Sequence, residues 1–179
     1  VGFEVALGGS MAGARCLASM KHVGVNVAAD AFMTAAYAGA RGGFVLLSAD
    51  DPSCYSSQNE QDNRFYGLHA LVPVVEPTSP HEAKEMVKYA FEFSEKWETI
   101  VILRTTTRLN HARGDITLGE IKNLDREYGF DHNSARWTFL PTNARVYRVK
   151  LLERMKKIGE FAEEFPFNKV EMKPAAKVG

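Results

Sequence analysis

Four strand-length runs of nearly uninterrupted apolar residues, at 15–20, 44–48, 71–75 and 99–104, constrain this chain more than any other feature in it. A strand with one face in water alternates apolar and polar side chains, whereas a strand covered on both faces has no need to. Helix signals separate the runs. Residues 1–14 open without a capping residue ahead of their apolar positions, so the sequence reads as starting inside a helix, a piece whose upstream residues are missing. Asn26 offers a cap for a helix running through Ala38 and stopping at Gly39, and Ser79-Pro80-His81-Glu82 is a capping box with proline in the first helical position. Helix and strand thus alternate, which predicts an α/β fold: a parallel sheet flanked by helices on both faces, with a C-terminal helical extension.

That extension begins after Gly114. Thr117 and Glu120 suggest a further capping box and Gly129 a stop, predicting one more helix, while 131–141 has no clear period. From 143 to 164 a long helix is expected, with Leu151, Leu152, Met155, Ile158, Phe161 and Ala162 on its apolar face. Its basic residues, Arg148, Arg154, Lys156 and Lys157, are matched by Glu153, Glu160, Glu163 and Glu164, the pattern of a solvated face rather than a nucleic-acid groove. Residues 172–179 read as a linker. With 179 residues there is room for one domain with a tail, divided here as 1–140 and 141–179.

Several function classes drop out. Lys plus Arg and Asp plus Glu both number 22, so no global field favours nucleic acid or an anionic membrane. Cys16 and Cys54 have neither the spacing nor the neighbours of a metal quartet and read as reduced thiols of a cytoplasmic protein. There is no signal peptide and no run long enough to span a bilayer. A G-x-S-x-G elbow, an H-E-x-x-H helix, a Walker lysine loop, a G-x-G-x-x-G turn after a strand and clustered iron–sulfur cysteines are all lacking. Gly8, Gly9 and Gly13 suit close helix packing better than phosphate binding, since no strand precedes them.

In open parallel sheets ligands bind beyond the carboxyl ends of the strands. Four loops qualify here: 21–26, 49–59, 76–79 and 105–114. The second and fourth are long and dense in hydroxyls, amides and charge, more than a connection needs. On spacing alone, 21–26 reads as a strand-to-helix turn with Lys21 in solvent, His22 as a surface residue, and Asn59 as the cap of a short helix that Gly67 ends. Residue-by-residue reading reaches an α/β domain with a polar ligand crevice and names no substrate.

The same loops carry a resemblance. The stretches from Glu4 to Gly8 and Gly13 to Arg15, MKHVGVNVAAD from Met20 to Asp30, Asp50-Asp51-Pro52 with SSQNEQD from Ser56 to Asp62, Thr106-Thr107-Arg108 with His111, Arg113 and Gly114, and Pro141-Thr142-Asn143-Ala144-Arg145 resemble one family. It is the pyrimidine-binding domain of indolepyruvate ferredoxin oxidoreductase alpha subunits, among the thiamine diphosphate-dependent 2-oxoacid:ferredoxin oxidoreductases. The likeness covers essentially the whole chain. It implies oxidative decarboxylation of arylpyruvates to acyl-coenzyme A, with thiamine diphosphate, magnesium and iron–sulfur clusters in the full enzyme and ferredoxin as electron acceptor. It also implies a beta subunit and further alpha-subunit domains as partners, with 141–179 leading to the next domain.

The resemblance places a cofactor-binding glutamate on the first helix, a residue or two before Val1, and Glu4 lies on a different helix face. Gly114-Asp115-Ile116 does not supply the G-D-G motif of the separate diphosphate-binding domain. The segment alone is therefore expected to be inactive, to hold no cofactor tightly, and to furnish half a pocket. In that half the resemblance points to His22 as the catalytic residue, with Gly24, Asn26, Ser57, Asn59 and Glu60 against the cofactor. Related enzymes carry an arginine near Gln58 that meets the substrate carboxylate; with an amide here, Gln58 is joined by Lys21, Arg108 or His22 as candidates for that contact. Two alternatives stay open. One is a thiamine-dependent oxidoreductase acting on pyruvate, 2-oxoglutarate or branched-chain oxoacids. The other is a non-catalytic α/β binding module.

Overall fold

All four apolar runs become strands of one parallel sheet, ordered β1-β2-β4-β3, in a computed structural model that describes residues 1–121, 123, 125–170, 172, 173 and 175. The strands are β1 (Cys16–Lys21), β2 (Phe44–Asp50), β3 (Val74–Val75) and β4 (Ile100–Thr106). Eight helices accompany them: α1 (Gly2–Met11), α2 (His22–Val27), α3 (Ala29–Ala38), α4 (Arg64–Ala70), α5 (Pro80–Trp97), α6 (Thr107–Asn110), α7 (Ser134–Trp137) and α8 (Pro141–Ala162). The fold is α/β with helices on both sheet faces and at the C-terminus, as expected.

Successive strand residues point to opposite faces, which is why continuous apolar runs are needed. Phe44, Leu46, Ile100 and Ile102 join Phe3 of α1 and Phe32 of α3 in one core layer. Val45, Val101 and Leu103 face the other way, onto Met86, Ala90 and Phe93 of α5 and Ile158 of α8. Burying each large apolar side chain contributes about 1.5–3 kcal/mol, so β2 and β4, buried on both sides, anchor the sheet. Of the α1 glycines Gly9 serves packing, since a Cβ there would stand 2.6 Å from Cys16 Sγ, whereas one on Gly8 would meet nothing within 4 Å. At the start of α5 the capping box forms, Ser79 Oγ accepting from Glu82 N at 3.2 Å, while the Glu82 carboxylate accepts from the Thr78 N–H and hydroxyl.

Other local readings are corrected. Asn26 does not cap the helix that ends before Gly39: α2 begins at His22, behind an extended Lys21, and a break at Ala28 starts α3. Asn59 likewise caps nothing. Helix α4 starts after Asn63 and runs past Gly67, ending at a left-handed Leu71. Gly67 is there for proximity, since a Cβ would fall 2.2 Å from Val74 Cγ2. Pro73 and the left-handed Leu71 shorten the third run to two strand residues. The helix expected after Thr117 is absent among the described residues, Lys122 and Leu124 lying outside them. Leu118 and Ile121 are exposed, so a helix there would have no apolar face to bury. The segment is instead held by single contacts, Arg126 to Glu95 and Gly129 N to Ala12 O at 3.0 Å.

In α8, Leu151 and Ile158 are buried and Met155 and Phe161 partly so, but Leu152 is nearly half exposed. Arg154 leaves the solvated face altogether. Its guanidinium donates to Ala36 O at 2.6 Å and Glu98 O at 3.0 Å, and burial lowers its pKa. Arg136 of α7 adds a bond to Ala38 O at 3.0 Å, so two arginines dock the extension onto the carbonyl end of α3, where helix C-termini favour cations. The linker expected over 172–179 falls mostly outside the described residues.

Candidate functional site

Because the sheet is wholly parallel, the carboxyl ends of all its strands open on one edge, and the first and second loops meet there. Three threads join them, one through Lys21 to Ser56 and Asp51 and two through His22 and Asn26. His22 Nε2 donates to Asn59 O at 2.9 Å, and Asn26 Nδ2 donates to Gln61 Oε1 at 3.1 Å, with Gln61 Nε2 passing on to Asn59 Oδ1 at 2.9 Å. A carbonyl oxygen only accepts, so Nε2 carries the ring proton. His22 is not a loop side chain: it sits in the first turn of α2 with no exposed surface, and its Nδ1 is a buried nitrogen without a protein partner among the described residues.

The second loop is pinned by consecutive aspartates at the end of β2, which point to opposite sides. Asp50, fully buried, accepts from Arg104 Nε at 2.6 Å, Ser48 Oγ at 2.7 Å and Asn63 N at 3.0 Å, and Arg104 also reaches Glu76. Asp51, 3% exposed, accepts from Ser57 Oγ at 2.7 Å, Ser56 N and Thr107 Oγ1 at 2.8 Å, and Tyr55 N at 3.1 Å. Lys21 Nζ stands 3.6 Å away and also donates to Ser56 O at 3.2 Å. Bonds from the Ser56 N–H and then the Ser57 hydroxyl hold the Asp51 carboxyl far below the ordinary carboxylate range. Between the two anchors Ser53 and Cys54 take left-handed backbone conformations, and the Ser53 N–H donates to Glu60 Oε2 at 3.1 Å.

The residues singled out from sequence thus divide. His22, Asn26 and Asn59 share one set of bonds with Gln61, Lys21 and Ser57 meet at Asp51, and Glu60 braces its own loop at Ser53. Gly24 stands in the first turn of α2 with a packing reason of its own, a Cβ there lying 2.9 Å from Met20 Cβ. Gln58 and Arg108 are exposed and make no side-chain hydrogen bond to another described residue. Sequence reading omitted Gln61, which bridges the loops, and the anchors Asp50, Asp51, Asn63, Arg104 and Thr107. The signal for the anchors was an Asp-Asp pair at the end of an apolar strand, where buried carboxylates need donors from elsewhere.

Two cavities flank these loops. One, of about 410 Å³, lies between α3 and α4 and is lined by Asp30, Met33, Gln61, Asn63, Tyr66 and His69. The other, of about 460 Å³, lies at the start of α1 between Glu4, Met20, Gly24 and Val27. Among the described residues no three His, Cys, Asp or Glu side chains converge to hold a metal ion, and no helix is long and apolar enough to cross a membrane.

The fold is that of a parallel α/β domain, in which the strand-end loops are the usual place for a ligand. No protein-family model matches the chain. It is 53% identical to the indolepyruvate oxidoreductase subunit IorA of Thermococcus kodakarensis and 52% identical to that of Pyrococcus abyssi, in both cases over its whole length and 28% of theirs. It is also 51% identical, over 96% of its length, to the IorA subunit of Archaeoglobus fulgidus, of which it covers 27%. The chain is homologous over its full length to one segment of the IorA subunits, spanning about 28% of the relatives it matches.

Proposed function

We propose that the chain forms the pyrimidine-binding side of a thiamine diphosphate pocket in an indolepyruvate oxidoreductase, which oxidatively decarboxylates arylpyruvates to acyl-coenzyme A and passes electrons to ferredoxin. The single observation that carries this reading is the union of loops 21–26 and 56–61 at the carboxyl edge of a parallel sheet, in a chain homologous to IorA. Bound thiamine diphosphate supplies the carbanion chemistry of decarboxylation. The residues here fit such a group: the amides of Asn26, Asn59 and Gln61 meet where the two loops join, and a buried His22 Nδ1 has no protein partner among the described residues. Asn26, Ser57, Asn59 and Glu60 would orient the aminopyrimidine ring, with Gly24 lining the cavity at the start of α1. His22 fixes Asn59 and through it the loop. Gln58, Lys21 and Arg108 would meet the 2-oxoacid carboxylate; of the two cations, Lys21 is engaged by Asp51 and Ser56, and Arg108 makes no side-chain hydrogen bond among the described residues.

Magnesium and the iron–sulfur clusters belong, on this reading, to other domains of a cytoplasmic enzyme, reached through residues 141–179, and to a beta subunit. Neither nucleic acid nor membrane takes part. The test uses the full-length subunit assembled with its partner, supplied with thiamine diphosphate, magnesium and coenzyme A, and follows viologen reduction. Indolepyruvate should show a higher kcat/KM than pyruvate, 2-oxoglutarate or branched-chain oxoacids. A different preferred oxoacid would overturn the substrate. Absence of turnover, together with no glutamate immediately before Val1 in the parent gene, would favour a non-catalytic module.

A further inference from the structure

We propose that Asp51 is the positioning residue of this site, a single carboxylate that sets the relative placement of the three loops forming the crevice. Its two oxygens gather donors from three separate chain segments: Lys21 at the end of β1, Tyr55, Ser56 and Ser57 beyond β2, and Thr107 at the start of α6. No other side chain among the described residues contacts all three. A carboxylate is suited to this task because each oxygen accepts more than one bond, and because it has no proton to set against the N–H and O–H groups that face it. The side chain is buried against those donors, so it can itself meet neither a cofactor nor a substrate; it acts through Lys21 and the Ser56–Ser57 turn.

Asp50 and Asp51 divide the labour. Asp50 fastens the far end of the loop at Asn63 and is itself locked by Arg104, a bond made inside the domain. Asp51 fastens the near end and links it sideways to the neighbouring loops. The segment between, with consecutive left-handed residues at Ser53 and Cys54, has no apolar packing to hold its shape: Ser53, Cys54, Tyr55 and Ser56 are exposed. Apart from the Ser53–Glu60 and Lys21–Ser56 bonds, its side-chain anchors are the bonds to Asp51. An amide in place of that carboxylate has one accepting oxygen instead of two and no charge for Lys21, so the donors on one side, either the Ser56 N–H and Ser57 hydroxyl or the Tyr55 N–H and Thr107 hydroxyl, lose their acceptor.

The inference rests on the proposed crevice being the reaction site, and the experiment separates the two. Asp51→Asn is made in the full-length subunit with its partner. Three quantities are compared with the parent: hydrogen exchange of peptides covering 53–58 without cofactor, kcat and KM for indolepyruvate, and thermal unfolding. The amide that replaces the carboxylate turns an N–H toward existing donors. Exchange at 53–58 should rise at least about tenfold and kcat/KM fall about 10- to 100-fold in a variant that unfolds earlier than the parent yet is fully folded at the assay temperature, with peptides of β2 and β4 exchanging as in the parent. Unchanged exchange, or loosened exchange with parental kinetics, would overturn the proposal. A parent enzyme that does not turn over indolepyruvate would sink the functional reading while the exchange result still decides whether Asp51 orders the loop. Should Asp51→Asn fail to fold, Thr107→Val removes one donor, and the same exchange and kinetic comparisons apply to it.

Discussion

His22 holds an imidazole where no solvent reaches, with its one protein hydrogen bond spent on a backbone carbonyl 37 residues away in sequence. A loop histidine without a core role would be replaced by alanine at a cost within about half a kcal/mol. The buried geometry changes that expectation: His22→Ala opens a cavity and removes the bond to Asn59 O, and should destabilise the domain by about 2 kcal/mol. In the full-length enzyme the variant should lose both thermal stability and turnover. A variant that unfolds like the parent would show that the ring is not packed as described. The same residue illustrates a limit of reading side chains singly. Nothing in the sequence of 21–26 distinguishes a histidine reaching into solvent from one in the first turn of a helix under a neighbouring loop, because the loop that covers it is 37 residues away.

Helix α4 shows what an element owes to its neighbours. Alanine in place of glycine inside an exposed helix would ordinarily stabilise by about 1 kcal/mol. At Gly67 the added methyl would meet Val74 Cγ2 at 2.2 Å, with Val72 O at 3.1 Å, so Gly67→Ala should destabilise instead, measurably as an earlier unfolding midpoint. A stabilised variant would mean that α4 is not seated on β3. Elements with strong internal signals were legible in the sequence: the double-sided runs of β2 and β4, the Ser79 box of α5 and the stripe of α8. Those whose limits depend on contact were not. The boundary between α2 and α3, the passage of α4 through Gly67, and the loss of a helix after Thr117 all follow from what lies against them. The site was half legible for the same reason. The polar loops were visible as composition, but Asp50, Asp51 and Thr107 reveal their roles only when β2 and β4 run side by side, in the register that pairs Asp50 with Thr106.

At the scale of the molecule, the two helical layers divide the work. Helices α1 to α4 pack one face of the sheet and carry or border the first two loops, while α5 and α8 cover the other face, with Arg154 and Arg136 tying the C-terminal extension to α3. The extension is thereby part of the body that supports the sheet and its strand-end loops. The central claim is that the joined loops at the carboxyl edge of the sheet receive thiamine diphosphate. Hydrogen exchange of the full-length subunit with its partner, with and without thiamine diphosphate and magnesium, addresses it directly. Exchange in peptides covering 21–26 and 56–61 should slow on cofactor binding, with peptides on the outer face of α8 unchanged. Cofactor binding that leaves both loops exchanging as before would place the pocket elsewhere and contradict the account.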